Sequence, residues 1–182
     1  MAILKIARMG HPVLQGVADV VEDPTAPEIR NLVEHMVETM NDANGIGLAA
    51  TQVYVPKRVV IFEVPEERDA EAVGTPLTVL INPTIEPLAE DLAMGWEGCL
   101  SVPGLRGLVP RYTKIRYSGW GLSGERIDRI AEGMHARVVQ HECDHLVGAL
   151  YPARMTDLSK LVFETEWKYW VAPEEESDDL ID

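Results

Sequence analysis

The sequence predicts an α+β fold, with mostly antiparallel β-sheets and a central helix that carries a His-Glu-x-x-His motif. Three observations lead there. Residues 25–41 place Ile29, Leu32, Val33, Met36, Val37 and Met40 at the three-and-four spacing of an amphipathic helix. Several β-rich runs then follow one another and look like strands of a mostly antiparallel sheet. The segment 133–150 turns helical again and is apolar on most sides, as expected of a helix buried at the centre of a domain.

A chain of 182 residues corresponds to one domain at about 150 residues per domain. With 46% hydrophobic and 25% charged residues it has ordinary globular composition, which excludes a disordered, collagenous or disulfide-scaffold protein. Sixteen Lys and Arg against thirty Asp and Glu give a net charge of −14, a field that repels phosphate backbones and anionic lipid. Direct binding to nucleic acid or membrane is therefore not expected. Six of the acids lie in the last nine residues, so the body is only moderately acidic. Residues 1–172 are expected to form the single domain and residues 173–182 a solvated, disordered acidic tail. No apolar run approaches the roughly 18 residues of a membrane span, and the opening MAILKIARMGHP lacks a secretory h-region and cleavage site, so the cytoplasm is the expected location.

Taken in order, the first helix should open on a capping box of Thr25 and Glu28 and close near Asn44 and Gly45, where glycine can adopt the left-handed conformation. Strands are expected at Arg58–Val64, Leu77–Ile81 and Tyr112–Gly119. The turn Leu122-Ser123-Gly124-Glu125 should lead into a returning strand at Arg126–Ala131. The second helix should run from Gly133 to Leu150, and a third from about Asp157 to Tyr169.

His141 and His145 are four residues apart, so on a helix both imidazoles project from one face and can reach one metal ion. Glu142 lies beside them, placed to touch a metal-bound water rather than the metal. Two histidines leave a catalytic site one protein ligand short. The candidate is Cys99 in Glu97-Gly98-Cys99-Leu100-Ser101, where Gly98 lets the backbone bend close and a coordinated thiol is held as thiolate. Cys143 points about 200° round the helix from His141 and reads as a small core residue; His11, His35 and His135 read as surface or core. Gly45-Ile46-Gly47-Leu48-Ala49-Ala50-Thr51-Gln52 is neither a dinucleotide fingerprint, since a helix precedes it, nor a P-loop. It reads either as a helix cap followed by small packing residues or as a Gly-framed strand along which an extended peptide could lie, with the Gln52 amide free to donate to an oxyanion.

The blocks GIGLAATQ at 45–52, EGCLS at 97–101 and QHECDHL at 140–146, with HPVL at 11–14 and LVPR at 108–111, resemble the peptide deformylase family from about residue 4 to residue 167. The resemblance implies sheets wrapped around the central helix. It implies Cys99, His141 and His145 as metal ligands, Glu142 as general acid/base, and Gln52 with the Leu100 backbone N–H as the groups that stabilise a tetrahedral oxyanion. Ile46 and Gly47 fall where the substrate backbone pairs, and Arg106 falls near the downstream end of the peptide. The implied reaction is removal of the formyl group from the N-terminal formyl-methionine of newly made polypeptides, releasing formate. The implied cofactor is one divalent metal, Fe²⁺ in the cell, with Zn²⁺, Ni²⁺ or Co²⁺ compatible with one thiolate and two imidazoles.

Family members of one bacterial type dock on the ribosome through a basic C-terminal helix. This chain ends EEESDDLID instead, a departure from that docking mode. Two other readings of the same residues are an H-E-x-x-H metallopeptidase cleaving ordinary peptide bonds and a non-catalytic, metal-stabilised module that binds formylated N-termini. Against the second, structural sites close with four protein ligands and only three are counted here.

Overall fold

The structure, a computed structural model, describes residues 2–66 and 74–170. Two helices, eight strands and several 3₁₀ turns make up these residues: α1 (Pro27–Asp42), β1 (Gly47–Ala49), β2 (Val59–Val64), β3 (Thr75–Pro87), β4 (Leu92–Cys99), β5 (Val102–Tyr112), β6 (Lys114–Trp120), β7 (Arg126–Glu132), α2 (Gly133–His145) and β8 (Leu161–Phe163). All strand pairs are antiparallel. They form a five-stranded sheet in the order β1-β2-β3-β6-β7 and a three-stranded sheet in the order β4-β5-β8. The fold is α+β, and the helix bearing the His-Glu-x-x-His motif is α2. No helix among the described residues is long and apolar enough to cross a membrane.

The composition of β2 explains how the layers hold together. Successive side chains of a strand point to opposite faces, yet Val59, Val60, Ile61, Phe62 and Val64 are all buried. Val60, Phe62 and Val64 join Leu80, Ile115 and Tyr117 in the core that covers Ala136, Val138 and Val139 of α2. Val59 and Ile61 join Leu48 and Ile81 beneath Ile29, Val33, Met36 and Met40 of α1. The larger sheet is thus sandwiched between the two helices at β2, which is why that strand reads as a continuous apolar run. A third, smaller core of Val102, Val109 and Tyr151 lies under the three-stranded sheet.

Several boundaries differ from the sequence expectation, each for a local reason. The Thr25–Glu28 capping box does not form: Thr25 Oγ1 donates to Asp23 Oδ1 at 2.7 Å, and α1 starts at Pro27, whose fixed φ suits a first helical position. At the other end Asn44 (φ 53°), not Gly45, takes the left-handed conformation. β3 continues past Ile81 through an irregularity at Asn82 and Pro83, because the Asn82 amide replaces sheet partners by bonding Val21 N–H and C=O at 2.9 and 2.8 Å. α2 stops at His145 rather than Leu150. The expected third helix is instead a 3₁₀ turn (Leu158–Lys160), strand β8 and a 3₁₀ run (Glu164–Tyr169), since Leu161, Val162 and Phe163 pair with Gly107, Arg106 and Leu105 of β5. The acidic tail expected at 173–182 lies outside the described residues.

The fully buried Phe62 sits on the face of β2 that carries α2, whereas Leu77 on the neighbouring strand is 44% exposed. Phe62→Ala should cost about 3–5 kcal/mol of unfolding free energy, and Leu77→Ala within about 0.5 kcal/mol, read from denaturant midpoints at unchanged slope.

Candidate metal centre

Two separate elements bring three ligand-type side chains to one point. β4 ends on Cys99, and α2 presents His141 and His145 one turn apart with ring centroids 5.1 Å from each other. Ligand atoms of the three residues all lie within 4.8 Å of one another, and Cys99 Sγ is 3.5 Å from His145 Nε2. Donor atoms on bonds of 2.0–2.3 Å around a tetrahedral ion are separated by roughly 3.4–3.7 Å. One sulfur and two imidazole nitrogens converging in this way fit a divalent metal with a coordination position left for water or substrate.

The hydrogen-bond partner of His141 is part of the fit. His141 Nδ1 lies 2.8 Å from Glu97 Oε2, which leaves Nε2 to face the centre. Glu97 is itself buried. It forms a two-pronged pair with Arg111 (2.8 and 2.9 Å) and accepts from Arg137 at 2.8 Å. Arg111 reaches on to Asp144 of α2 at 2.6 Å, and Arg154 closes the chain on the same carboxylate. Burial alone would raise the Glu97 carboxyl, but the hydrogen bonds and charges of Arg111 and His141 outweigh it and hold it well below the usual carboxylate range. The network was not found by reading the sequence. Its members Glu97 and Arg111 stand inside the EGCLS and LVPR blocks, and nothing local to either block marks them as partners.

Glu142 lies beside the ligand triangle, buried, with Oε2 free of any hydrogen-bond partner among the described residues. Burial pushes its carboxyl up to about 7. Gly47 makes room for it: a Cβ on Gly47 would sit 2.1 Å from Glu142 Oε1. Gln52, in the 3₁₀ turn after β1, is oriented by the Ala49 N–H, which donates to its Oε1 at 2.8 Å. Its Nε2 is thereby turned to Cys99 Sγ (3.6 Å) and Ser101 Oγ (3.1 Å).

An open cleft of about 830 Å³ gives access to this cluster; its lining includes Ile46, Gly47, Leu100, Arg106 and Trp167. Arg106 forms an ion pair with Glu164 and lies 4.7 Å over the Trp167 ring, and Trp167 meets Trp96 edge-on. The two tryptophans were not singled out from the sequence. Ile46 C=O accepts from Glu63 N–H at 2.9 Å, so alternate backbone groups of β1, those of Gly47 among them, are turned to the strand's open edge and the cleft. The remaining cysteine and histidines stay away from the cluster. Cys143 packs against the α2 core, His135 Nε2 meets Tyr117 Oη at 3.1 Å, and His11 lies edge-on to Tyr54.

Removing the Glu97 charge takes away the carboxylate that Arg111 and Arg137 share, leaving Arg137 with carbonyl partners only and Arg111 with Asp144. Glu97→Gln should destabilise the protein by about 3–5 kcal/mol and weaken metal binding by roughly 10–100-fold through His141, as measured by denaturant unfolding and by competition with a metal chelator. The sign of the pH effect follows from the lowered carboxyl: the network contributes fully above about pH 4.5, the ordinary glutamate value, and is lost as pH falls below it.

Comparison with known proteins gives concordant results. Residues 3–161 match the family model described as polypeptide deformylase. Peptide deformylase 1 of Bordetella pertussis is 57% identical over 156 residues, covering 85% of this chain and 89% of that protein. Peptide deformylase 2 of Ralstonia nicotianae is 55% identical over 162 residues, covering 88% and 92%. Among solved structures, the Met-Ala-Ser-bound class I type b peptide deformylase from Acinetobacter baumannii superposes with a TM-score of 0.79 at 36% identity, over 85% of this chain and 99% of that one. The peptide deformylase from Ehrlichia chaffeensis gives 0.80 at 31% identity, over 99% and 100%.

Proposed function

The chain belongs to the polypeptide deformylase family, and we propose that it carries out the reaction of that family at the Cys99–His141–His145 centre. It is a hydrolase that removes the formyl group from nascent polypeptides. The observation that carries the assignment to this centre is the placement of the Glu142 carboxylate against Gly47, beside three convergent ligand atoms and at the floor of an open cleft.

Cys99 Sγ and the Nε2 atoms of His141 and His145 would hold the ion, which when bound supplies a Lewis acid and lowers the pKa of water at the open position. Glu142, a buried carboxylate beside the ligand triangle, accepts a proton from water as the oxygen attacks the formyl carbon. Gln52 Nε2 and the Leu100 N–H donate to the oxygen that gains negative charge in the tetrahedral state. Glu142 then returns its proton to the amine nitrogen as the carbon–nitrogen bond breaks, and formate and the free N-terminus leave. An extended peptide is held by adding to the open edge of β1, where Gly47 presents its backbone next to Ile46. Arg106, fixed by Glu164 and Trp167, stands at the mouth toward the downstream residues. Fe²⁺ is the proposed resident ion, and the donor set also accepts Zn²⁺, Ni²⁺ or Co²⁺. Nascent chains at the ribosome in the cytoplasm are the proposed substrate source.

The direct test is formate release from formyl-Met-Ala-Ser by anaerobically purified protein, with metal content determined in the same samples. Wild type should release formate with about one ion per chain. Glu142→Ala should keep its ion and lose turnover. Inert metal-loaded wild type, or cleavage of unformylated peptides instead, would overturn the assignment. Gln52→Ala should keep the ion and lose about 10²–10³ in kcat, the usual effect of removing one oxyanion donor. Gly47→Ala, which drives a methyl group into Glu142, should lose on the order of 10² in kcat.

A further inference from the structure

A second groove, of about 360 Å³, adjoins the cleft and shares Ala43, Leu100 and Pro103 with it. Its other wall is the N-terminal segment, with Ile3, Ile6 and Arg8, facing Asp42 at the end of α1. The segment is tied down along its length rather than draped over the surface. Leu4 N–H donates to Thr39 Oγ1 at 2.9 Å, Ala7 N–H to Gln52 C=O at 2.7 Å and Met9 N–H to Ser101 C=O at 2.8 Å. The groove is therefore preformed, and its wall is bonded to residues next to the centre itself.

The reacting end of a peptide must lie at Glu142 and Gly47. A chain extended along the open edge of β1 away from Gln52 passes Gly45 and leaves over Ala43, one of the three residues at which the two grooves join. Three extended residues span about 10 Å, after which the chain must turn to solvent or continue along the groove.

Resting on the deformylase reading, we propose that this groove is a distal subsite for the fourth and fifth residues of the substrate, selecting apolar side chains. Ile3, more than half exposed, and the partly buried Ile6 gain cover from such a side chain. Arg8 and Asp42 place one charge of each sign at the rim, so the groove offers no net attraction to acidic or basic residues. The effect assigned to this groove is uniform binding, equal in ground and transition states, which lowers KM and leaves kcat unchanged.

The test compares formyl-Met-Ala-Ser, formyl-Met-Ala-Ser-Leu-Leu and formyl-Met-Ala-Ser-Glu-Glu on metal-loaded wild type and on Ile3→Asp. Partial burial of one leucine should lower KM for the Leu-Leu pentapeptide on the order of fivefold to tenfold relative to the tripeptide, at equal kcat. The Glu-Glu pentapeptide should show no such gain. In Ile3→Asp the advantage of the Leu-Leu peptide should vanish while the tripeptide constants stay as in wild type, which also shows that the variant is folded. Equal KM for all three peptides on wild type, or a Leu-Leu advantage that survives Ile3→Asp, would overturn the subsite. No formate from any of the peptides would instead overturn the deformylase assignment on which it rests.

Discussion

The buried Glu97 carboxylate is the constraint around which the rest of the molecule is organised. It sits on β4, is gripped by Arg111 from β5 and Arg137 from α2, and orients His141. A desolvated charge is tolerable only when fully paired, so the small sheet and the helix must dock in one relative position or leave a bare ion in the interior. The same docking places Cys99 opposite the two histidines. Structural specificity and ligand geometry are thus one requirement expressed twice.

Arg137 extends this logic to strands that are poor β-formers. Its guanidinium donates to the carbonyls of Ala93, Gly95 and Val109 as well as to Glu97, and the approach is possible because Gly95 lacks a Cβ, which would lie 2.5 Å from Arg137 Cζ. On the same helix the Gln140 amide clasps the backbone N–H and C=O of Tyr112 at 3.1 and 2.9 Å. The three-stranded sheet is therefore bonded to α2 through long polar side chains as well as through its small apolar core.

What could be read in the sequence follows from this division. α1, β2 and α2 declare themselves because apolar periodicity is their cause, and the His141–Glu142–His145 spacing is local to one helix. β4 and β5 do not: Gly95, Gly98, Gly104, Gly107, Pro103 and Pro110 spoil any strand pattern, and the side chains that hold the pair together lie far along the chain on α2. β8 carries no signal in the sequence because three apolar residues have no period of their own, and it is pairing with β5 that draws them straight. At the centre, residue types with a chemical signature stood out, whereas Glu97, Arg111 and Trp167 matter through partners that only the fold supplies.

The spacing of the ligands has a consequence for how the protein is made. Cys99 and His145 are 46 positions apart, and Gln52 is a further 47 before Cys99. A partly folded chain offers an ion no more than the histidine pair of one helix, a weak bidentate site, and the third donor arrives only when β4 has docked on α2. Tight capture of the ion therefore reports that the last long-range contacts have closed. By mass action an ion held there would add to the completed fold the difference between its affinity for three donors and for two. An ion held by these three residues would act as a latch on the finished protein.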